Sequence, residues 1–285
     1  MTLRQALIAA IAKLEAIPQL HTEAQEDATH LLLHMLDMSR ATLLTSYDRP
    51  LTTEQQSAYA AAINRRITHE PVQYITGERE FYGLPLCVTP AVLIPRNLTE
   101  HLVEAVINEL TARDRNGESL RIADIGTGSG AIAIALAVHL PHAQITALDI
   151  SPDALALAAA NAERNLVADR IRFLHSDLLE AVAGNPPYDA IVSNPPYIPT
   201  TDRESLHPQV RDYEPSAALF AGPSGLDLYR NLIPQAHALL KQGGLLALEF
   251  GPDQNQAIAE LLSTWQSHSF VNDLNDCPRI AVGRK

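Results

Sequence analysis

The chain has 285 residues, 46% of them hydrophobic, a length that allows two domains of ordinary size. Its 21 basic and 33 acidic residues give a formal net charge of −12, which argues against direct nucleic-acid binding because phosphate contacts dominate that affinity. No apolar run approaches the ~20 residues of a membrane span, and the N-terminus is unlike a secretory signal. We therefore expect a cytoplasmic protein without membrane attachment, in which Cys87 and Cys277 are ordinary thiols.

The first part of the chain predicts a small helical bundle. Apolar residues recur at helical spacing, and helices are predicted over residues 3–17, 22–37, 40–46 and 53–68. Thr53 and Gln56 have capping-box spacing, which would fix the start of the last helix. His30 and His34 stand four residues apart, but without a third ligand we expect no metal site. The sequence thus predicts a helical domain over residues 1–70.

A hairpin linker is predicted over residues 71–90, which contain Gly77, Gly83 and the alternating apolar residues Phe81, Leu84 and Leu86. Strands then alternate with helices, which is typical of a doubly wound α/β sheet, so residues 91–285 form the second domain. Near its end the pattern predicts a helix over 231–240 closed by Gly243 and Gly244, a buried strand over 245–250 and a helix over 254–265. Two final strands would close the sheet as a hairpin.

A glycine loop follows the first predicted strand of this domain, residues 120–125, and precedes an apolar helix. The loop consists of Gly126, Thr127, Gly128, Ser129 and Gly130. Glycines let the backbone approach a ligand closely, and the helix start would supply free N–H groups. Asp149 ends the next strand, about 20 residues on, where an acid that binds ribose hydroxyls is expected.

The loop by itself leaves two cofactors open, because Gly126, Gly128 and Ala131 also fit the dinucleotide pattern of NAD enzymes. The extra Gly130, with Asp124 just before the loop, favours an adenosyl amino acid, which needs no pyrophosphate site. Asp177, after the third strand, is placed to accept from an adenine amine. Alternatively it caps the next short helix, since Asp is a favoured N-cap residue.

The tetrapeptide Asn194-Pro195-Pro196-Tyr197 follows an apolar strand over residues 190–192 and predicts methyl transfer to a planar nitrogen. An amide nitrogen is a poor nucleophile, so its N–H groups must be held by fixed acceptors. The Asn194 side chain and the Pro195 carbonyl are such acceptors, and consecutive prolines restrict the backbone. Tyr197 can lay its ring on the substrate plane.

A second copy, Asn185-Pro186-Pro187-Tyr188, enters the same strand instead of leaving it. Ligands of open α/β sheets bind outside the carboxyl ends of strands, so we assign the chemistry to the copy at Asn194 and a plain turn to the other. The Pro-rich segment 198–222 is a candidate lid over the substrate pocket. Glu249, at a strand end, is interpreted as a structural acceptor in preference to a base.

Further motifs extend over nearly the whole chain. They are residues 71–77 with Glu80-Phe81, Leu93-Ile94-Pro95-Arg96 with Thr99-Glu100, Tyr213-Glu214-Pro215, Ala221-Gly222 with Gly225-Leu226, and Leu248-Glu249-Phe250-Gly251 with Gln254. With the two core motifs, this set resembles the glutamine amide methyltransferases of the HemK/PrmC type, which modify the Gly-Gly-Gln loop of class-1 peptide-chain release factors.

The resemblance implies a seven-stranded, Rossmann-like, S-adenosylmethionine-dependent methyltransferase fold behind an N-terminal helical domain that docks the release factor. It assigns the residues from Gly126 to Gly130 and Asp149 to the cofactor and the residues from Asn194 to Tyr197 to the glutamine. Asp177, Leu178 and Asn194 complete the expected cofactor contacts. We expect a monomer that binds no nucleic acid directly.

The chain departs from the family pattern at two places. Asn97-Leu98 replaces a usual Pro-acid pair, and Leu178 replaces an aromatic residue, which would cover adenine less completely. Other functions stay open at this point: a glutamine methyltransferase of a large-subunit ribosomal protein, a nucleic-acid amine methyltransferase, and a non-enzymatic sensor of the adenosyl cofactor. The acidic charge opposes the second of these, and the intact Asn194 tetrapeptide opposes the third.

Overall fold

The computed structural model describes residues 1–112 and 119–285. The chain divides into two compact units: a helical unit of Met1–Glu78 with Leu206–Tyr213, and a sheet unit of Arg79–Ser205 with Glu214–Lys285. The sequence predicts that the helical domain ends at residue 70, whereas the helical unit extends to Glu78. The return of residues 206–213 to the helical unit has no signal in the local sequence pattern, because it depends on contacts between distant segments.

The helical unit contains α1 (Leu3–Glu15), α2 (Ala24–Met35), α3 (Arg40–Thr45), α4 (Thr53–Ile67) and α5 (Val72–Thr76), and it includes the later α9 (Pro208–Tyr213). Its apolar helix faces form one core. Arg66 is fully buried in α4, where its guanidinium pairs with Asp27 at 2.6 Å and Glu23 at 3.1 Å. A buried charge needs such partners, so these ion pairs join α4 to α2.

The cap of α4 lies one residue earlier than predicted. Thr52 is the N-cap and forms the reciprocal capping box with Gln55, whereas Gln56 donates to the Leu51 carbonyl at 3.0 Å. The assignment to Thr53 and Gln56 was wrong because Thr52-Thr53 and Gln55-Gln56 are doublets that satisfy the capping-box spacing in either register.

The sheet unit opens with a hairpin, β1 (Glu78–Phe81) and β2 (Leu84–Cys87), so only part of the predicted 71–90 linker is a hairpin and α5 occupies its start. The remaining helices are α6 (Asn97–Thr111), α7 (Ala131–His139), α8 (Pro152–Arg164), α10 (Asp227–Leu239) and α11 (Asn255–Leu261). The remaining strands are β3 (Leu120–Ile125), β4 (Ala143–Asp149), β5 (Ile171–His175), β6 (Tyr188–Ser193), β7 (Leu240–Glu249), β8 (Ser267–Asn272) and β9 (Pro278–Arg284).

These last strands form one seven-stranded sheet in the order β5-β4-β3-β6-β7-β9-β8, with apolar layers on both faces. The strands β3 to β7 pair in parallel, and the β8–β9 hairpin closes one side in antiparallel pairing, which confirms the predicted fold class. The chain runs from β3 outward to β5 and then crosses to β6 on the other side. That reversal at β3 and β6 is the switch point where open sheets bind ligands.

The last third has the predicted order of elements, but several boundaries differ: β7 begins at Leu240 and α11 ends at Leu261, not at residue 265. Gly243 and Gly244 do not close a helix but lie inside β7, where Gly243 has φ +71° and donates to the carbonyl of Lys285 at 2.8 Å. The preceding helix α10 begins earlier than predicted and tolerates Pro234 in its interior. No helix within the described residues combines the length and apolar character needed to cross a bilayer.

Candidate active site

The carboxyl ends of the parallel strands bring the predicted site residues together. Ile125 is in register with Leu148 on one side and with Ser193 on the other, and Ser193 is in register with Leu248. Gly126, Asp149, Asn194 and Glu249 therefore follow four neighbouring strands at one edge of the sheet. The Ser193 hydroxyl donates to the Ile125 carbonyl at 2.7 Å and ties β6 to β3.

The glycine loop has the conformation that its glycines predict. Gly126, Gly128 and Gly130 have φ of +68°, +54° and +83°, in the left-handed region that side chains rarely adopt. A Cβ on Gly130 would lie 3.1 Å from the Cβ of Ala158 in α8. By contrast, a Cβ on Gly126 would meet no atom within 4 Å, so the chain leaves open space beside that glycine.

The loop offers fewer free donors than the sequence predicted. The N–H groups of Gly126 and Thr127 donate to the Leu148 carbonyl, that of Gly130 to the Thr127 carbonyl, and that of Gly128 to Asp149 at 2.8 Å. These bonds hold the loop against β4. A pyrophosphate needs such N–H groups, whereas a cationic amino-acid ligand needs acceptors, so the loop fits an adenosyl amino acid better than a dinucleotide.

Asp124 supplies an acceptor beneath the loop. It is fully buried in β3, and its Oδ2 accepts from the Thr127 hydroxyl at 2.6 Å and from the Ala133 N–H at 3.2 Å. Its Oδ1 has no partner among the described residues. Burial raises the pKa of Asp124 from 3.8 to about 7, although both hydrogen bonds oppose this change. An unpaired buried carboxyl of this kind is suited to a ligand cation.

Asp149 is held in place by backbone donors. Its Oδ2 accepts from Gly128 N, and its Oδ1 accepts from Ser151 N at 2.9 Å. Each oxygen keeps a further lone pair, so the half-buried carboxylate can still accept from two ribose hydroxyls.

Asp177 does not cap the helical turn that follows it. The N-cap position of that turn is Leu179, which makes no side-chain cap hydrogen bond, and the Ser176 hydroxyl accepts from the Ala181 N–H at 3.0 Å. The exposed side chain of Asp177 and the half-buried Leu178 follow β5, beside the strand that carries Asp149. Leu178 has φ +46°, an unusual conformation for a branched apolar residue.

The sequence did not single out Asn161 as a support of the glycine loop. This fully buried side chain of α8 donates to the Ser129 carbonyl at 2.9 Å and exchanges hydrogen bonds with the backbone N–H and carbonyl of Cys87. An asparagine in the middle of the alanine-rich α8 is the signal that could have revealed it.

The tetrapeptide at Asn194 lies at the edge that the sequence predicted. Asn194 is half-buried and Pro195 is buried. The Asn194 Nδ2 donates to the Thr99 hydroxyl at 3.0 Å, and that hydroxyl donates to Glu249 Oε2 at 2.7 Å. Glu249 is therefore a buried acceptor in the structure, and its Oε1 has no partner among the described residues.

Tyr197 is fixed from several directions. Gln254 donates to the Tyr197 carbonyl at 3.0 Å, while its own side-chain oxygen accepts from Gly251 N. A Cβ on Gly225 would lie 2.2 Å from the Tyr197 carbonyl oxygen, so only glycine fits there. The Arg279 guanidinium lies 5.9 Å from the centre of the tyrosine ring, a cation–π distance.

The unusual Asn97 also has a partner. Its side-chain oxygen accepts from the Arg79 guanidinium, which also donates to the Pro95 carbonyl at 3.1 Å. Asn97 begins α6, the helix that carries Thr99. The replacement of the usual Pro-acid pair therefore leaves this loop with a hydrogen-bonded anchor.

The predicted lid over residues 198–222 is a closed loop. Ile198 forms a bridge with Phe220, and Thr200 N donates to the Gly222 carbonyl at 2.9 Å. Within its central stretch, Tyr213 donates to the Thr68 carbonyl at 2.7 Å inside the helical unit.

Two known protein-family domains match the chain, one in the helical unit and one that begins in the sheet unit. Residues 5–77 match the PrmC N-terminal domain, and residues 99–207 match the methyltransferase small domain. The chain is 44% identical to the release factor glutamine methyltransferase of Koribacter versatilis, over 100% of this chain and 99% of that protein. It is 43% identical to the enzyme of that name from Geobacter sulfurreducens, over 92% and 89% of the two chains.

The chain belongs to the release factor glutamine methyltransferase family. This confirms the resemblance seen in the sequence motifs, and S-adenosyl-L-methionine is the methyl donor. The catalytic domain of hMettl16, solved in complex with an RNA hairpin, shares the fold with a TM-score of 0.55 at 18% identity, over 82% of each chain.

Proposed function

We propose that this protein transfers a methyl group from S-adenosyl-L-methionine to the side-chain amide nitrogen of the glutamine in the Gly-Gly-Gln motif of class-1 peptide-chain release factors. The observation that carries the proposal is the placement of Asn194 directly beside the glycine loop, since Ser193 and Ile125 are paired residues of neighbouring strands. Family membership supports the same substrate.

The loop and the strand ends supply the cofactor contacts that we propose. Gly126 to Gly130 would receive the amino-acid part, Asp149 the ribose hydroxyls, and Asp177 with Leu178 the adenine. The cofactor supplies an electrophilic methyl group on a sulfonium. Asp124 and Asp149 contribute acceptors and negative charge, which suit a cationic ligand.

The tetrapeptide holds the acceptor amide. Asn194 Oδ1 and the Pro195 carbonyl would accept the two N–H groups of the glutamine, and Tyr197 would cover its plane. As the N–C bond would form, the S–CH₃ bond of the sulfonium would break and leave S-adenosylhomocysteine. The nitrogen would become acidic and release one proton to water, so positioning matters more than a strong base. The prolines and the contacts of Tyr197 with Gln254 and Gly225 keep the Asn194–Tyr197 tetrapeptide ordered before substrate arrives.

We assign docking of the release factor to the helical unit. Ile8 and Leu44 are large apolar residues that are more than half exposed on it, at 61% and 62%. Replacing both with serine is expected to raise KM for intact release factor and to leave KM for a short Gly-Gly-Gln peptide unchanged. Equal KM values for intact release factor in the variant and the parent would exclude these two residues from docking.

Mass spectrometry tests the main proposal. The purified protein, incubated with S-adenosylmethionine and release factor, is expected to add one methyl group to the Gly-Gly-Gln glutamine and none to a Gly-Gly-Ala variant. Methylation of a large-subunit ribosomal protein or of a nucleic acid, with none on the release factor, would contradict it. The charge of −12 leads us to propose that the enzyme acts without direct nucleic-acid contact. We further propose that it works as a monomer in the cytoplasm, where its release factor substrate is found.

A further inference from the structure

The side chain of Asn194 is useful to a glutamine amide in only one of its two orientations. The substrate nitrogen carries two N–H donors, so it needs the oxygen of Asn194 and not its NH₂ group. The two orientations have nearly the same shape. Something else in the protein must therefore decide which end faces the substrate.

Asn194 is hydrogen-bonded to buried Thr99, which in turn is hydrogen-bonded to buried Glu249. Thr99 of α6 is 4% exposed and Glu249 at the end of β7 is 0% exposed. The Thr99 hydroxyl has one hydrogen, which it donates to Glu249 Oε2 at 2.7 Å. Its lone pairs remain, and they can receive only a donor, which Asn194 Nδ2 supplies at 3.0 Å.

The donor-to-acceptor direction of these two hydrogen bonds depends on Glu249 acting as an acceptor. Burial raises the pKa of Glu249, while the Thr99 hydroxyl, the positive charge of Arg279 and the Asn194 amide oppose this change. The carboxylate form has no donor, so it holds the Thr99 hydrogen and fixes the order of the hydrogen bonds from Asn194 to Thr99 to Glu249.

We propose that Thr99 and Glu249 are positioning residues that turn the Asn194 Nδ2 into the protein and its Oδ1 toward the substrate, so that the site selects a glutamine amide over a glutamate carboxylate. This inference rests on the proposed function. Neither residue touches the reacting nitrogen; both act through Asn194.

The test compares Thr99→Val, which removes the hydroxyl at nearly constant shape, with Thr99→Ser, which keeps it. Affinity for release factors that carry Gly-Gly-Gln or Gly-Gly-Glu is measured with S-adenosylhomocysteine present, so that no turnover occurs. The parent is expected to prefer glutamine. Thr99→Val is expected to reduce this preference about 10-fold, because Asn194 can then present its N–H groups to a carboxylate, and Thr99→Ser is expected to restore it.

Turnover gives a second readout. Thr99→Val is expected to lower kcat about 10- to 100-fold with little change in cofactor affinity, whereas Thr99→Ser stays within about 3-fold of the parent. Glu249→Gln keeps an oxygen that accepts from Thr99, so it should retain most activity. A loss of about 100-fold or more in Glu249→Gln, with Thr99→Val near the parent value, would make Glu249 a base and overturn the proposal.

The outcomes separate this inference from the proposed function. If the parent does not methylate release factor, the proposed function fails. If the parent is active but Thr99→Val keeps the full preference for glutamine, the positioning role fails and the function stands. A general folding defect in Thr99→Val would weaken both release factors equally and leave their ratio at the parent value, which would also overturn the positioning role.

Discussion

The same four residues occur at both ends of β6, but the two copies differ in exposure and in hydrogen bonding. At the entrance, Asn185, Pro186 and Pro187 are exposed, and Tyr188 is buried as the first residue of the strand. At the exit, Asn194 is hydrogen-bonded to Thr99, and the Tyr197 carbonyl accepts from Gln254. The difference supports the prediction that the tetrapeptide serves the reaction only at the carboxyl end of the strand, beside the glycine loop.

The largest expected difference between the copies is in turnover. Asn194→Ala removes the acceptor that we assign to the substrate amide and is expected to lower kcat about 10²- to 10³-fold, with cofactor affinity changed little. Asn185→Ala, the matched control, changes an exposed turn and should stay within about 2-fold. Initial rates at saturating cofactor measure both. Equal losses in the two variants would contradict the assignment.

A second comparison uses the glycine near each copy. Gly225 and Gly184 both have positive φ, at +70° and +80°, so alanine strains either backbone. Only at Gly225 would the new Cβ collide with Tyr197, because nothing lies within 4 Å of a Cβ on Gly184. Gly225→Ala is expected to lower kcat/KM about 100-fold because the new Cβ displaces Tyr197. Gly184→Ala is expected to lower only the melting temperature. Unchanged kcat/KM in Gly225→Ala would show that Tyr197 needs no fixed position.

Cofactor binding separates the loop from the tetrapeptide. Asp149→Ala removes the carboxylate that we assign to the ribose hydroxyls and is expected to raise the Kd for S-adenosylhomocysteine about 10- to 100-fold, measured by calorimetry. Asn194→Ala should raise that Kd by no more than about 3-fold, since we assign its side chain mainly to the substrate and only one of several cofactor contacts to it. If Asn194→Ala weakened cofactor binding more than Asp149→Ala did, the two roles would have to be exchanged.

The smallest effect is a pH dependence of stability that arises beneath the loop. Because the pKa of Asp124 rises from 3.8 to about 7 on folding, the native state binds more protons than the unfolded state in that window. Stability contributed by Asp124 is therefore present below about pH 4 and is lost as the pH rises to about 7. The melting temperature of the parent minus that of Asp124→Asn should fall between pH 5 and pH 8 without cofactor. A constant difference would mean that Asp124 titrates as in the unfolded chain.

The sequence predicted those parts of the site that neighbouring residues determine. The positions of the glycine loop, of Asp149 at its strand end and of the two tetrapeptides at opposite ends of β6 follow from strand ends and turn chemistry over short stretches, while their roles stay predictions. The contacts of Asn194 with Thr99, and of Thr99 with Glu249, join residues far apart in the chain, and periodicity carries no information about them. The register of the α4 cap was ambiguous for a different reason, since doubled residues satisfy the same pattern twice.

The most direct test is a crystal structure of the protein with S-adenosylhomocysteine and a release factor. We expect the Gly-Gly-Gln glutamine nitrogen at about 3 Å from both Asn194 Oδ1 and the Pro195 carbonyl, in line with the cofactor sulfur. A glutamine bound elsewhere, or an Asn194 side chain that presents its nitrogen to the substrate, would contradict it.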